Sequence, residues 1–308
     1  MSLIAPPQVY LVGAGPGHPL LLSKKAERCI QRADVILYDQ LVNPFILQFS
    51  SPKTEWIHVG KTPYSTSMRQ EEINSLMVEK TKTHQTVVRL KGGDPAIFGR
   101  LADEVDVLKE AGISFEVVPG ITAASAAMSQ LHRGLTERGV ARNITFTTGH
   151  FKDDEEASID ITTLKNGGTL AIYMGVKRLP RLMEEVRSTI QEDLPVAVIF
   201  NATCVNQHVI AGDVSTISEK VANAEKSGPG ITIVGQVVRD ILKELPKNKM
   251  MEYVCFHGTR TENMDKALDI YEAAGWAIID DRDEEDLHPT QMALLTELMN
   301  TTTFTQHL

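Results

Sequence analysis

Cysteine is scarce: Cys29, Cys204 and Cys255 are the three in 308 residues. Spread that far apart and odd in number, they exclude a disulfide framework, offer no Cys-based zinc spacing, and point to a reducing, cytosolic compartment. Long apolar runs are missing too, since none approaches the roughly 20 residues a membrane span requires. The start, MSLIAPPQVY, lacks a basic region followed by a long apolar one, so no export signal is expected. Aromatics make up only 6%, while 21 glycines and 14 prolines are average usage, which excludes collagenous and low-complexity chains. There is no basic surplus. The net charge is −9, with −7 of it on residues 246–308, −2 on 121–245 and zero on 1–120. Non-specific nucleic-acid binding needs a basic face, and no nucleic-acid partner is expected.

What remains is a globular pattern of alternating strands and helices. Apolar runs at Val9–Val12, Val35–Tyr38, Thr86–Leu90 and Phe115–Val118 read as strands. Helical periodicity falls between them, through Leu21–Ile30, over Glu71–Glu79 and over Ala102–Ala111, and a further helix is expected to open at Ile121. Short connections favour a parallel or mixed α/β sheet. Ile144–Thr148, Thr169–Tyr173, Pro195–Phe200 and Ile231–Val234 are strand candidates of a second domain, with helices at Leu179–Ile190 and Val214–Ala224. The expected division is 1–120, 121–245 and an acidic extension, 246–308, entered through a linker at Pro246–Lys249. Asp153 to Asp160 reads as a solvated acidic loop. The extension carries one βαβ-like unit, Tyr253–Phe256, Asn263–Ala274 and Trp276–Ile279, too small to bury a core alone. It must dock on the body, pair with another subunit, or stay partly mobile.

Two glycine clusters follow strands. Gly13, Gly15 and Gly17 miss the dinucleotide fingerprint, because His18 occupies the third required position. Pro16 also removes a backbone N–H that a pyrophosphate cradle would use. A plain turn, or a different small ligand held at a strand end, stays open. The second cluster is more informative: Arg89-Leu90-Lys91-Gly92-Gly93-Asp94-Pro95-Ala96-Ile97-Phe98-Gly99-Arg100. Paired glycines admit a ligand close to the backbone, and an Asp before a Pro is biased towards an extended geometry.

These clusters, with Tyr38-Asp39-Gln40-Leu41-Val42, Val117–Thr122, Thr148-Gly149-His150, Tyr173-Met174-Gly175 and Pro229–Gly235, occur in the order found in the tetrapyrrole methylases, which the chain resembles over roughly residues 8–240. The RLKGGDP-x-IFGR string is similar to the branch that methylates uroporphyrinogen III. The resemblance implies a two-domain α/β fold with a cofactor cleft between the domains, working as a homodimer. It implies two successive C-methylations by S-adenosyl-L-methionine, giving precorrin-2 for sirohaem or cobalamin synthesis. A methylase of a later corrin intermediate, or a non-catalytic cofactor-binding regulator, is the alternative.

Carried over by position, the resemblance places the cofactor against Pro16, Gly92, Gly93, Asp94, Thr122, Ala123, Met174, Ala202 and Gly230. Asp94 is suited to the cationic methionine end. Met174 is an adaptable apolar contact, or else ordinary core. The macrocycle bears eight carboxylates, for which arginine is the fitting partner. Arg100 and Arg138 match substrate-contacting positions, with Arg142 and His150 near the latter in sequence, and Asp39 matches a position beside the active site. Arg142 is equally readable as surface charge, and Asp39 as a strand-end cap. The substrate carbon is the nucleophile, so no activated Ser or Cys is required, and no metal is expected. Two departures touch the substrate side: Asp103 stands where the family has a Glu, and Glu137 adds a negative charge beside Arg138.

Overall fold

In this computed structural model, which describes residues 6–60, 68–150, 158–224, 228–241 and 251–308, the described chain forms two compact units. One comprises Met1–Thr122 with Met251–Leu308, the other Ala123–Met250. The expected linker at Pro246–Lys249, and most of the acidic loop from Asp153, lie outside the described residues.

The first unit holds β1 (Val9–Gly13), β2 (Val35–Tyr38), β3 (Glu55–His58), β4 (Val87–Lys91) and β5 (Phe115–Val118), in the spatial order β3-β2-β4-β1-β5. All are parallel. Apolar side chains on both faces suit a sheet covered on both sides. Val12, Ile36 and Leu90 enter one fully buried cluster, while Val9, Leu11, Leu37 and Val87 enter the other. Because every strand points the same way, the loops after Gly13, Tyr38, Lys91 and Val118 emerge along one carboxyl edge.

The helix expected from Leu21 begins later. His18 caps a 3-10 turn at Pro19–Leu21, and Ser23, accepting the Ala26 N–H at 3.2 Å, starts the helix Lys24–Gln31. Helices Gln70–Lys80, Leu101–Glu110 and Ala123–Gln130 lie within two residues of the expected positions.

The second unit is a mixed sheet. Strands β6 (Ile144–Thr148), β7 (Thr169–Tyr173), β8 (Pro195–Phe200), β9 (His208–Asp213) and β10 (Gly230–Val234) lie in the order β6-β7-β10-β8-β9. β10 runs antiparallel to both β7 and β8. The start of β10 therefore lies at the same edge as the ends of β7 and β8.

The acidic extension is a βαβαβ layer, larger than the single unit read from sequence. β11 (Tyr253–His257), β12 (Trp276–Asp280) and β13 (Gln306–His307) form a parallel sheet ordered β12-β11-β13, with helices Arg260–Glu272 and Pro289–Thr301. It docks on the β2–β3 connection. Phe45, fully buried, joins the cluster of Phe256, Tyr271 and Leu295. Gln48 behaves like a strand partner: its amide donates to the Ile279 carbonyl at 2.6 Å and accepts the Ile279 N–H at 3.0 Å. It thereby closes the outer edge of β12, which would otherwise be an open strand. Arg260, buried, pairs with Asp281 at 2.7 Å, donates to the Ser50 carbonyl at 2.9 Å, and lies 5.3 Å over the Trp56 ring.

Gln48→Ala strands the buried Ile279 N–H and carbonyl together, so a loss of about 2 kcal/mol is expected in urea unfolding. A change below a few tenths would show that the layer stays attached without this pair.

Candidate active site

Three backbone stretches converge at the first unit's carboxyl edge. Gly15 and Gly93 exchange two backbone hydrogen bonds, 3.1 and 2.7 Å, tying the loop after β1 to the loop after β4. Asp94 locks the second loop, accepting the Ala96 N–H at 2.7 Å and the Gly120 N–H at 3.0 Å on separate oxygens. So Asp94 is first a clasp between the loops after β4 and β5. A carboxylate has further lone pairs, and the half-buried Asp94 can still meet a cation. Gly13, Gly93 and Gly120 pack backbone to backbone: a Cβ on Gly120 would lie 2.2 Å from the Gly93 carbonyl oxygen.

Beside these loops lies a buried charge cluster. Arg89 and Lys91, on β4, are 2% and 4% exposed, and Glu104, on the helix Leu101–Glu110, is fully buried. One Glu104 oxygen accepts from Arg89 Nε at 3.1 Å and Lys91 Nζ at 2.8 Å. Arg89 Nη2 reaches Asp39 at 2.5 Å. Burial, with the neighbouring Arg89 charge, pulls the Lys91 ammonium below the ordinary lysine range, and Glu104 opposes that shift. Asp39 is therefore more than a strand-end cap; Arg89, itself held by Glu104, fixes its carboxylate.

Arg100 adopts a left-handed backbone (φ 54°) at the position just before the helix that begins at Leu101, with no side-chain bond to the helix N-terminus. Its guanidinium pairs with Asp103, Nε to Oδ2 at 2.8 Å, and both side chains are exposed. The Asp that replaces a family Glu thus engages Arg100 on the helix surface. Nearby Phe98, also left-handed, is 40% exposed.

The second unit gathers its predicted residues along one edge. Met174 follows β7, Ala202 follows β8, and Gly230 opens β10 opposite Phe200. Met174 is 53% exposed at a left-handed φ of 54°, so the ordinary-core reading of this residue is wrong. Ala202 is nearly buried, between the left-handed Asn201 and Thr203. The Asn201 N–H donates to the Pro229 carbonyl at 2.9 Å, holding the β8 and β10 loops together. Gly149 donates to the Tyr173 carbonyl at 2.7 Å, which ties the His150 loop to the Met174 turn. A Cβ on Gly230 would meet Val176 at 2.9 Å. Ala123 begins the helix Ala123–Gln130, whose Ala124 N–H donates to the Tyr173 hydroxyl at 3.3 Å.

Arg138 is exposed in a turn closed by Glu137 and Ala141. Glu137 is turned to Arg239, 2.7 Å away, and that hydrogen bond pulls its carboxyl below the usual range. Its charge is compensated, which removes the objection to a polyanion near Arg138. The structure thus brings Pro16, Gly92, Gly93, Asp94 and Asp39 to one strand edge and Met174, Ala202 and Gly230 to another, and it leaves Arg100 and Arg138 on exposed turns. Sequence reasoning missed the roles of Gly13, Gly120, Arg89, Lys91 and Glu104. The available signal was two cations at alternate positions in an otherwise apolar run, Val87–Lys91, which places both on one strand face.

Two α/β sheets whose strand-end loops are rich in glycine allow a ligand close to the main chain, and comparison with known proteins gives the class. The chain belongs to the Tetrapyrrole (Corrin/Porphyrin) Methylases, whose sequence pattern matches residues 8–218. It is 41% identical over 233 residues to the uroporphyrinogen-III C-methyltransferase of Priestia megaterium, covering 75% of this chain and 98% of that protein. It is 41% identical over 239 residues to the siroheme synthase of Hahella chejuensis (strain KCTC 2396), covering 77% of this chain and 51% of that protein, so the match spans about half of the relative's length. Among solved structures, the Thermus thermophilus uroporphyrin-III C-methyl transferase complexed with S-adenyl homocysteine superposes with a TM-score of 0.65 at 35% identity, covering 75% of this chain and 99% of that one.

Proposed function

We propose that the protein is the S-adenosyl-L-methionine-dependent C-methyltransferase that converts uroporphyrinogen III to precorrin-2 by two successive methylations. The observation that carries this reading is the clasped backbone edge at Gly13, Gly93 and Gly120. At Gly13 and Gly120 the absent side chains let the three loops close on one another, and at Gly93, where a Cβ would meet nothing within 4 Å, space is left for a ligand against main-chain groups, which fits a cofactor bound by small residues and carbonyls. The exposed, backbone-fixed Met174 fits the same role. In this reading Pro16, Gly92, Gly93, Asp94, Thr122, Ala123, Met174, Ala202 and Gly230 hold the cofactor, which supplies an electrophilic methyl on sulfur. An electron-rich pyrrole β-carbon of the substrate would take that methyl in line as its bond to sulfur breaks, S-adenosylhomocysteine would depart as the neutral thioether, and the macrocycle would then lose one proton to water. Orienting the two reactants and excluding water supply most of the acceleration.

Arg100 and Arg138 receive substrate carboxylates, and Asp39, steadied by Arg89, lies beside the reacting ring. The family resemblance supports a homodimer, testable by sedimentation. Three free cysteines, two of them buried, favour a reducing cytoplasm. Among the described residues no helix is long and apolar enough to cross a membrane.

The deciding experiment is an anaerobic assay with uroporphyrinogen III and S-adenosyl-L-methionine, read by absorbance and mass. A gain of two methyl groups supports the proposal. Cofactor binding without methylation would move the reading to a later corrin intermediate or a regulatory role. Arg138→Ala is expected to leave cofactor affinity intact and raise KM for the porphyrinogen about tenfold or more, the worth of one charge-assisted hydrogen bond. Unchanged kinetics would take Arg138 out of the site.

A further inference from the structure

Cys255 and His257 lie two residues apart on β11, so both side chains leave the same face of the strand. The parallel register of β11 with β13 sets His307 beside Cys255. One sulfur and two imidazoles are thereby gathered, with ligand atoms all within 4.8 Å of one another. His257 Nε2 is 3.2 Å from His307 Nδ1 and 3.9 Å from Cys255 Sγ. A tetrahedral zinc centre with bonds of about 2.3 Å to sulfur and about 2.0 Å to nitrogen separates its nitrogens by roughly 3.3 Å and sulfur from nitrogen by roughly 3.5 Å. The two edges that meet at His257 are close to those values, and the third, from Cys255 sulfur to His307, is within 4.8 Å.

A second feature is independent of the first. The other ring nitrogen of His257, Nδ1, faces Asp280 at 3.4 Å, and Asp280 is itself held by Arg282 at 2.7 and 2.9 Å. A carboxylate behind an imidazole is the usual support of a metal-bound histidine, because it fixes the tautomer and aims Nε2 outward. The donor set is also selective. One thiolate with two imidazoles suits zinc, whereas magnesium and calcium take oxygen ligands. Both histidines are exposed and the cysteine is buried, so an ion can enter from solvent and close on the sulfur.

We propose that Cys255 Sγ, His257 Nε2 and His307 Nδ1 bind one zinc(II) ion, with water in the fourth position. The ion fastens the two-residue strand β13 to β11 and so steadies the layer that docks on the β2–β3 connection. These ligands lie beyond residue 218, where the family's sequence pattern ends.

The test uses the full chain, stripped with chelator and refilled with zinc. One zinc per chain is expected by elemental analysis, and cobalt(II) in its place is expected to show tetrahedral ligand-field bands with a thiolate charge-transfer band. His257→Gln and His307→Gln each leave the circular dichroism unchanged and weaken zinc binding at least about tenfold, since even loss of a supporting residue costs that much. No retained zinc, zinc held equally by both variants, or a cobalt spectrum without thiolate charge transfer would each overturn the proposal.

Discussion

Glu104→Gln is expected to cost the first unit about 3–5 kcal/mol, the usual result of removing one partner from a buried ion cluster. The carboxylate is fully buried, and a single oxygen accepts from both Arg89 and Lys91. Glutamine keeps the volume, so packing is nearly preserved. What is lost is the negative charge that offsets two cations in a region of low dielectric. Both tryptophans, Trp56 and Trp276, lie in this unit, so their fluorescence during guanidinium unfolding reports on it directly.

The loss also has a pH signature. Lys91 already has a depressed pKa in the folded protein, and without Glu104 it falls further. Between that lowered value and the ordinary lysine value of 10.5, the unfolded chain binds more protons than the folded one. Stability therefore rises with pH across this window, and the wider window of the variant makes its rise larger than the wild type's. A variant within about 1 kcal/mol of wild type would mean that the cations are stabilised by groups other than Glu104. Methylation is expected to fall as well, because Arg89, freed from Glu104, no longer fixes Asp39.

How much of this was legible in the sequence depends on where each residue's partner lies. Strands such as Phe115–Val118, Ile144–Thr148 and Pro195–Phe200 could be read to the residue, because β-branched and apolar runs between turn signals carry their own evidence. β3 was missed. Its sequence, Glu-Trp-Ile-His, has two apolar residues, and it is an edge strand whose Trp56 N–H donates to Thr290 at 2.8 Å. That support comes from a helix more than 200 residues away, itself unread. β9 was missed as well: His208–Asp213 is an edge strand that opens on a histidine and closes on Gly-Asp, which leaves only Val209–Ala211 as an apolar run.

The site divides along the same line. The Gly-Gly-Asp string marked the loop after β4 as a candidate ligand contact, but nothing local says that Asp94 clasps Gly120 or that Glu104 neutralises Arg89. Likewise, Cys255 and His307 are scattered in sequence, and only the parallel register of a two-residue strand brings them together. His18, which broke the dinucleotide fingerprint, turns out to have its own task. It caps the turn at Pro19 and meets the Tyr271 carbonyl at 3.0 Å, while Asn43 joins the Gly17 carbonyl to the Tyr271 hydroxyl. The first glycine loop therefore rests on the C-terminal layer, and that layer becomes part of what shapes the candidate site.

Gly120→Ala tests whether backbone contact shapes the edge proposed to hold the cofactor. The new Cβ would lie 2.2 Å from the Gly93 oxygen and 3.0 Å from the Gly13 Cα. Both neighbours are main chain, so no rotamer change relieves the overlap. The Gly93 carbonyl is also tied by the Gly15 N–H, and Gly120 by Asp94, so a shift of either loop breaks a hydrogen bond. Overpacking of this kind costs about 1–3 kcal/mol. The larger effect is expected on function: displacing the loops by about 1 Å is worth roughly a hundredfold in rate. Gly112→Ala is the control, with a left-handed φ of 66° and open space around its Cβ. It carries only backbone strain, about 1 kcal/mol, at a helix end away from the edge. Calorimetry with S-adenosylhomocysteine should then find Gly112→Ala binding like wild type and Gly120→Ala binding much more weakly. Equal affinity in all three proteins would mean that the ligand does not rest on this backbone edge, and the placement of Gly92, Gly93 and Asp94 against it would fall with that result.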